Sequence, residues 1–131
     1  MRDQRWWTWH VAAGVVILVL LGLHMTIMHL SSVVDVFNAP GTEPIAWENV
    51  IDRARSGFFL VTYILLLGAA LFHGLYGLRN IVFELGPGAG ARKGISALLV
   101  VVGLALFVFG TWAAWGAFQL AGAASASAGV L

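Results

Sequence analysis

The sequence predicts an all-α membrane protein with three transmembrane helices, and three observations carry that expectation. Of its 131 residues, 60% are hydrophobic and 10% charged, with a mean hydropathy of +0.91. That is the composition of a chain solvated by lipid. Three stretches, about 7–32, 56–83 and 94–120, are almost free of charge, and each meets the roughly 20 residues that a spanning helix requires. The polar residues gather between them, in a first loop over about 33–55 and a second over about 84–93. The whole, 1–131, reads as a single membrane domain. A net charge of +1 gives no reason to expect nucleic acid as a partner. The absence of cysteine excludes disulfides, thiolate-ligated clusters and covalently attached c-type haem.

The first span opens with Arg2, Asp3 and Arg5, followed by Trp6, Trp7 and Trp9. Basic residues leading into clustered indoles mark the entry to a bilayer. No acid, lysine or arginine follows until Asp35. The run is too long for a signal-peptide core and shows no obvious cleavage site, so it is expected to be retained. Within it His10, Gly14, Ile17, Leu21, His24 and Met28 form one stripe at spacings of three and four. His29, about 140° round the helix from His24, lies off that stripe.

The first loop carries four acids and the turn-forming run Asn38-Ala39-Pro40-Gly41. Inside it Trp47, Val50, Ile51 and Ala54 repeat at helical spacing, predicting a short helix on the membrane surface. The second span runs into the interface as Arg79 to Glu84. Gly86-Pro87-Gly88-Ala89-Gly90 should break it, ahead of Arg92 and Lys93. The third span has no charge and no histidine. Gly103, Gly110 and Ala114 supply a small-residue seam for close helix packing, and the chain from Ala121 onward is expected to fray.

Basic residues set the expected orientation. Arg2, Arg5, Arg79, Arg92 and Lys93 lie at the amino terminus and in the second loop, against Arg53 and Arg55 in the first. The amino terminus and second loop are therefore expected in the cytoplasm, with the first loop outside. His24 then lies about 22 Å from the cytoplasmic interface at 1.5 Å per residue, and His73 about 9–16 Å. In a hydrocarbon core about 30 Å thick, the first is in the outer half and the second in the inner half. The two should not ligate one iron. At neither depth does a single copy offer an obvious second histidine, so a partner subunit or second copy is expected to supply it.

Chemistry is most concentrated in Leu71 to Glu84, LFHGLYGLRNIVFE. Ala69 and Gly77 flank His73 on one helix face and clear space beside it. Neutral imidazole is a preferred axial ligand of haem iron. The same small residues could equally seat a neighbouring helix, with His73 hydrogen-bonding across to it. Arg79 could neutralise a haem propionate or a quinone oxygen, or snorkel to the headgroups. Trp9 and Glu84, near the same interface, are candidates for lining a quinone pocket. His29 is a fallback iron ligand, and His10, among tryptophans, is in an ordinary interfacial place.

These residues resemble the cytochrome b membrane anchors of succinate:quinone oxidoreductases (succinate dehydrogenases) and quinol:fumarate reductases. The segment HGLYGLR, with His73 six residues before Arg79, is similar to that family's haem-ligand segment. Gly14, followed ten residues later by His24 and then Met25, is similar to the first-helix ligand segment of the di-haem members. Many mono-haem anchors carry His-Arg-x-Ser-Gly where this chain has His10-Val11-Ala12-Ala13-Gly14, so the polar residues that would hold a quinone are missing.

The resemblance implies one of two three-helix anchors that together form a four-helix bundle around two b haems. His24 would be a ligand of the outer haem and His73 of the inner. It implies an iron–sulfur subunit and an FAD-containing flavoprotein docked on the cytoplasmic side of a prokaryotic inner membrane, with membrane lipid around the anchor. Electrons would pass between succinate or fumarate and quinone while this chain does no carbon chemistry. The anchor of another respiratory oxidoreductase, a hydrogenase or formate dehydrogenase, and a non-redox helical scaffold are the alternatives.

Overall fold

The computed structural model describes residues 2–29, 43 and 45–128. It is built from four helices: α1 (Arg2–His29), α2 (Trp47–Ala54), α3 (Gly57–Glu84) and α4 (Ala89–Ala128). Three of them, α1, α3 and α4, are long and apolar enough to cross a membrane. The fold is that of an all-α membrane protein, as the composition and the three uncharged runs predict.

Helix α3 is the centre of the arrangement. It packs on α1 along one side and on α4 along the other, and α1 and α4 do not meet among the described residues. Both neighbours run antiparallel to it. Along α1, His10 meets His73 and Tyr76 while His24 meets Tyr63. Along α4, Ser96 meets Arg79 and Phe107 meets Gly68. The seam with α4 uses the small residues expected of it. A Cβ built on Gly103 would lie 2.7 Å from Leu75 Cδ1, and one on Gly110 would lie 2.5 Å from Leu67 Cδ2. Missing side chains on α4 thus admit leucines of α3, the close approach that substitutes for a hydrophobic drive where lipid is as apolar as the side chains.

Outward faces are apolar, which suits lipid. Ile27, Phe59 and Ala121 are the buried apolar residues among those described. The indoles of Trp6, Trp7 and Trp9 are exposed at one end, and those of Trp47, Trp112 and Trp115 stand exposed further along the chain. The hydroxyls of Thr8, Thr26 and Thr62 bond to carbonyls three or four residues back on their own helices. That satisfies them without water.

Two boundaries differ from expectation. The predicted break at 86–90 is shorter, because α4 starts at Ala89. Gly86, at φ +75, ends α3 with its N–H on Phe83 O at 3.2 Å, the left-handed stop that glycine takes without strain. Gly88 then accepts the first bond of α4, from Arg92 N–H. At its other end α4 remains helical to Ala128, past the predicted fraying point, because alanine is the best helix former. Helix α2 is where periodicity put it, and its outward apolar residues suit a helix lying on a membrane surface. Asn49 and Arg53 are buried while Trp47 and Val50 are exposed, so the polar side packs on α3 and α4 and the apolar stripe looks outward. Most of the predicted first loop, including Asn38 to Gly41, lies outside the described residues.

Candidate functional site

The α1–α3 seam is built by a reciprocal histidine–glycine exchange. Both helices carry a glycine four residues after a histidine: His10 and Gly14 on α1, His73 and Gly77 on α3. Running antiparallel, each histidine fills the space over the other helix's glycine. A Cβ on Gly14 would stand 3.1 Å from His73 Cε1 and 3.2 Å from its Nδ1, and one on Gly77 3.4 Å from His10 Cε1. The two imidazoles stack, with centroids 4.0 Å apart and planes 11° from parallel. Tyr76 closes one side, 5.2 Å from the His10 ring.

A backbone contact decides which His73 nitrogen is available. Its Nδ1 lies 3.0 Å from the carbonyl oxygen of His10. A carbonyl can only accept, so Nδ1 carries the proton and donates it, and in the neutral ring Nε2 holds the lone pair. A ring so fixed is a prepared metal ligand, because the bond from the other nitrogen sets both tautomer and direction. His10 is different: its Nδ1 is buried and makes no hydrogen bond.

His24 lies in the same seam at another level. Its ring meets Tyr63 edge-on at 6.0 Å, and the free space beside it, among Ile27, Phe59 and Thr62, is about 10 Å³. Tyr63 and His73 are ten residues apart on one continuous helix, about 15 Å. The structure therefore holds His24 and His73 at separate depths. His29 ends α1; its side chain lies outside the described residues.

Arg79 lies about 120° round α3 from His73, on the side of α4. Its Nε donates to Ser96 Oγ at 3.1 Å, and its guanidinium lies 4.3 Å from the centroid of Phe83. It borders an apolar cleft of about 840 Å³ between α1, α3 and α4, with Trp6, Phe72, Tyr76, Ser96 and Val100 among the lining residues. Trp9 and Glu84 are exposed and take no part in that cleft; Trp6 is the indole that does.

A haem can be tested against this geometry. A macrocycle does not fit between His10 and His73, whose rings are already in contact. It does not fit within the seam at His24 either. His73 Nε2, the nitrogen not engaged by the His10 carbonyl, is the atom of this pair that would be left to hold an iron. No group of three or more potential metal-ligating side chains occurs among the described residues. Sequence reasoning missed His10 as the neighbour of His73. The repeated His-x-x-x-Gly was the available signal.

No family model matches the chain, and no solved structure matches it. Two curated relatives do. The succinate dehydrogenase hydrophobic membrane anchor subunit of Archaeoglobus fulgidus is 24% identical over 106 residues, covering 81% of this chain and 83% of the relative. The protein of the same name from Thermoplasma acidophilum is 23% identical over 99 residues, covering 75% and 73%. Similarity over three-quarters or more of the chain agrees with the resemblance carried by the two motifs: this three-span chain is similar to the hydrophobic membrane anchors of succinate dehydrogenase.

Proposed function

We propose that this chain is a membrane-anchor subunit of a succinate:quinone oxidoreductase and carries one axial ligand for each of two b haems. The observation that supports it most is the His73 ring, whose Nδ1–H is tied to the α1 backbone and whose Nε2 is left to ligate. His73 would serve the inner haem and His24 the outer, each completed by a second anchor that packs with α1 and α3 into a four-helix bundle. A bound b haem supplies one-electron storage between an iron–sulfur subunit and membrane quinone. The chain's own part would be to hold the two imidazoles about 15–21 Å apart in depth, from the ten residues between Tyr63 and His73 on α3 and the fourteen between His10 and His24 on α1. Trp9 and Glu84, exposed on α1 and α3, are offered to a quinone pocket shared with the partner anchor.

A complex purified through a tag on this chain should contain an FAD flavoprotein and an iron–sulfur subunit, and should reduce an artificial dye with succinate. Tagged material that lacks succinate–dye activity, from membranes that possess it, would oppose the reading.

The proposed orientation places the amino terminus and the α3–α4 turn in the cytoplasm. A cysteine at Ile45, which is exposed before α2, should react with an impermeant reagent added outside, and one at Gly88 should not. The reverse pattern would invert the topology.

One feature favours a second reading. The stacked His10–His73 pair also serves as a helix-to-helix fastening that needs no cofactor. On that reading the complex would carry succinate activity without haem in this chain.

A further inference from the structure

The cleft between α1, α3 and α4 is bordered by Arg79, and the exposed Arg92 shares the Phe83 ring with it just outside the cleft. Arg79 and Arg92 both lie against Phe83, their guanidinium carbons 4.3 and 5.1 Å from its ring centroid. Arg79 is half-buried and bonds to Ser96 Oγ and, at 3.4 Å, to Asn80 Oδ1. Arg92 bonds to the carbonyls of Pro87 and Phe83 at 2.9 and 3.3 Å. All these acceptors are neutral. Among the described residues neither guanidinium forms an ion pair. Two like charges held at one aromatic ring at the edge of a membrane repel each other and are costly without a counter-charge.

The cleft supplies the other half of the argument. From Arg79 it runs along α3 to Gly68, eleven residues or about 16 Å, and its walls are almost wholly apolar side chains. The molecule that complements it has an anionic head at the arginines and an extended hydrocarbon chain along the groove. A quinone head is neutral and would leave both guanidiniums uncompensated. Basic pockets between transmembrane helices are suited to phosphate headgroups.

We propose that Arg79 and Arg92 hold the phosphate of an anionic phospholipid, one of whose chains lies in the cleft between α1, α3 and α4. Arg79 lies about 120° round α3 from His73, with Tyr76 bordering both the cleft and the His10 ring, and the proposal does not depend on the haem reading.

The test uses the tagged complex, washed in detergent and reconstituted into nanodiscs of phosphatidylcholine with a small fraction of phosphatidylglycerol. Retained lipid is identified by native mass spectrometry after re-extraction, and haem content is read from the same sample. The wild type should retain one phosphatidylglycerol per copy of this chain in preference to phosphatidylcholine. Removing both charges in Arg79→Gln/Arg92→Gln should weaken that retention about thirtyfold, at about one kcal/mol per basic residue.

A second variant guards against failure of the first to assemble. Val100→Trp fills the cleft from an exposed position and should displace the lipid while both arginines remain. Equal retention of the two lipids by the wild type, or undiminished phosphatidylglycerol in both variants, would overturn the proposal. A wild-type complex that retains phosphatidylglycerol but contains no haem would count against the haem reading alone.

Discussion

His73→Ala is expected to assemble with its partner subunits and to lose one of two haem spectra while keeping the other. On the proposed reading the ring that α1 holds through its Nδ1–H would be this chain's ligand to the inner iron, so its removal would leave that iron with at most one protein ligand. The inner haem should be absent or high-spin. His24→Ala should do the same to the outer haem, because His24 packs near Tyr63, about 15 Å of helix away. Potentiometric titration with optical and electron paramagnetic resonance detection separates the outcomes. The two variants should retain components of different midpoint potential, since burial and nearby charge differ at the two depths. Loss of the same component in both variants would mean that one site uses both histidines.

Gly14→Val carries the second large effect, and it reaches His73 without touching it chemically. A Cβ at residue 14 already stands 3.1–3.2 Å from the His73 ring, and the branched methyls of valine extend further into the same space. Either the ring tilts off the His10 carbonyl or α1 moves away from α3. Overpacking of this kind costs about 1–3 kcal/mol. Gly22→Val is the control on the same helix, since nothing lies within 4 Å of a Cβ there, and it should change stability by less than about 0.5 kcal/mol. Thermal loss of the haem absorbance should come at lower temperature in Gly14→Val than in Gly22→Val. Equal midpoints would mean that the histidine–glycine exchange does not hold the seam.

The sequence conveyed the spans because transfer of backbone into lipid leaves a long, uncharged helix as almost the only option. That constraint is read residue by residue, and it located α1, α3 and α4. The small-residue seam of α4 was readable for a related reason, since Gly103 and Gly110 have few other purposes on an uncharged helix. Pairing between helices is another matter. Periodicity places His10 and His24 on one stripe, but it does not say that His10 will meet His73 or that Trp6, rather than Trp9, will border the cleft. Those outcomes depend on the relative height of two helices, which leucine and valine barely specify. The matching glycines at 14 and 77 set it. The apolar stripe of helix α2 was sound as a pattern, and Trp47 and Val50 on it stay exposed, as a helix on a membrane surface requires. The polar Asn49 and Arg53 had only the protein side to turn to. The proposal of His73 as a haem ligand began from the small residues spaced around it, Ala69 and Gly77, and the resemblance added His24 and the two-haem layout. The structure adds the tautomer of His73, which no sequence pattern encodes.

The most direct measurement is the absorption spectrum of the complex purified through this chain, recorded oxidised and again after adding succinate and then a strong chemical reductant. The account predicts sharp low-spin b-type bands in the fully reduced state that resolve into two components, at least one of them reduced by succinate. A preparation that oxidises succinate yet shows no b-type bands under the strong reductant would contradict it. The His10–His73 stack would then be a fastening between helices and nothing more.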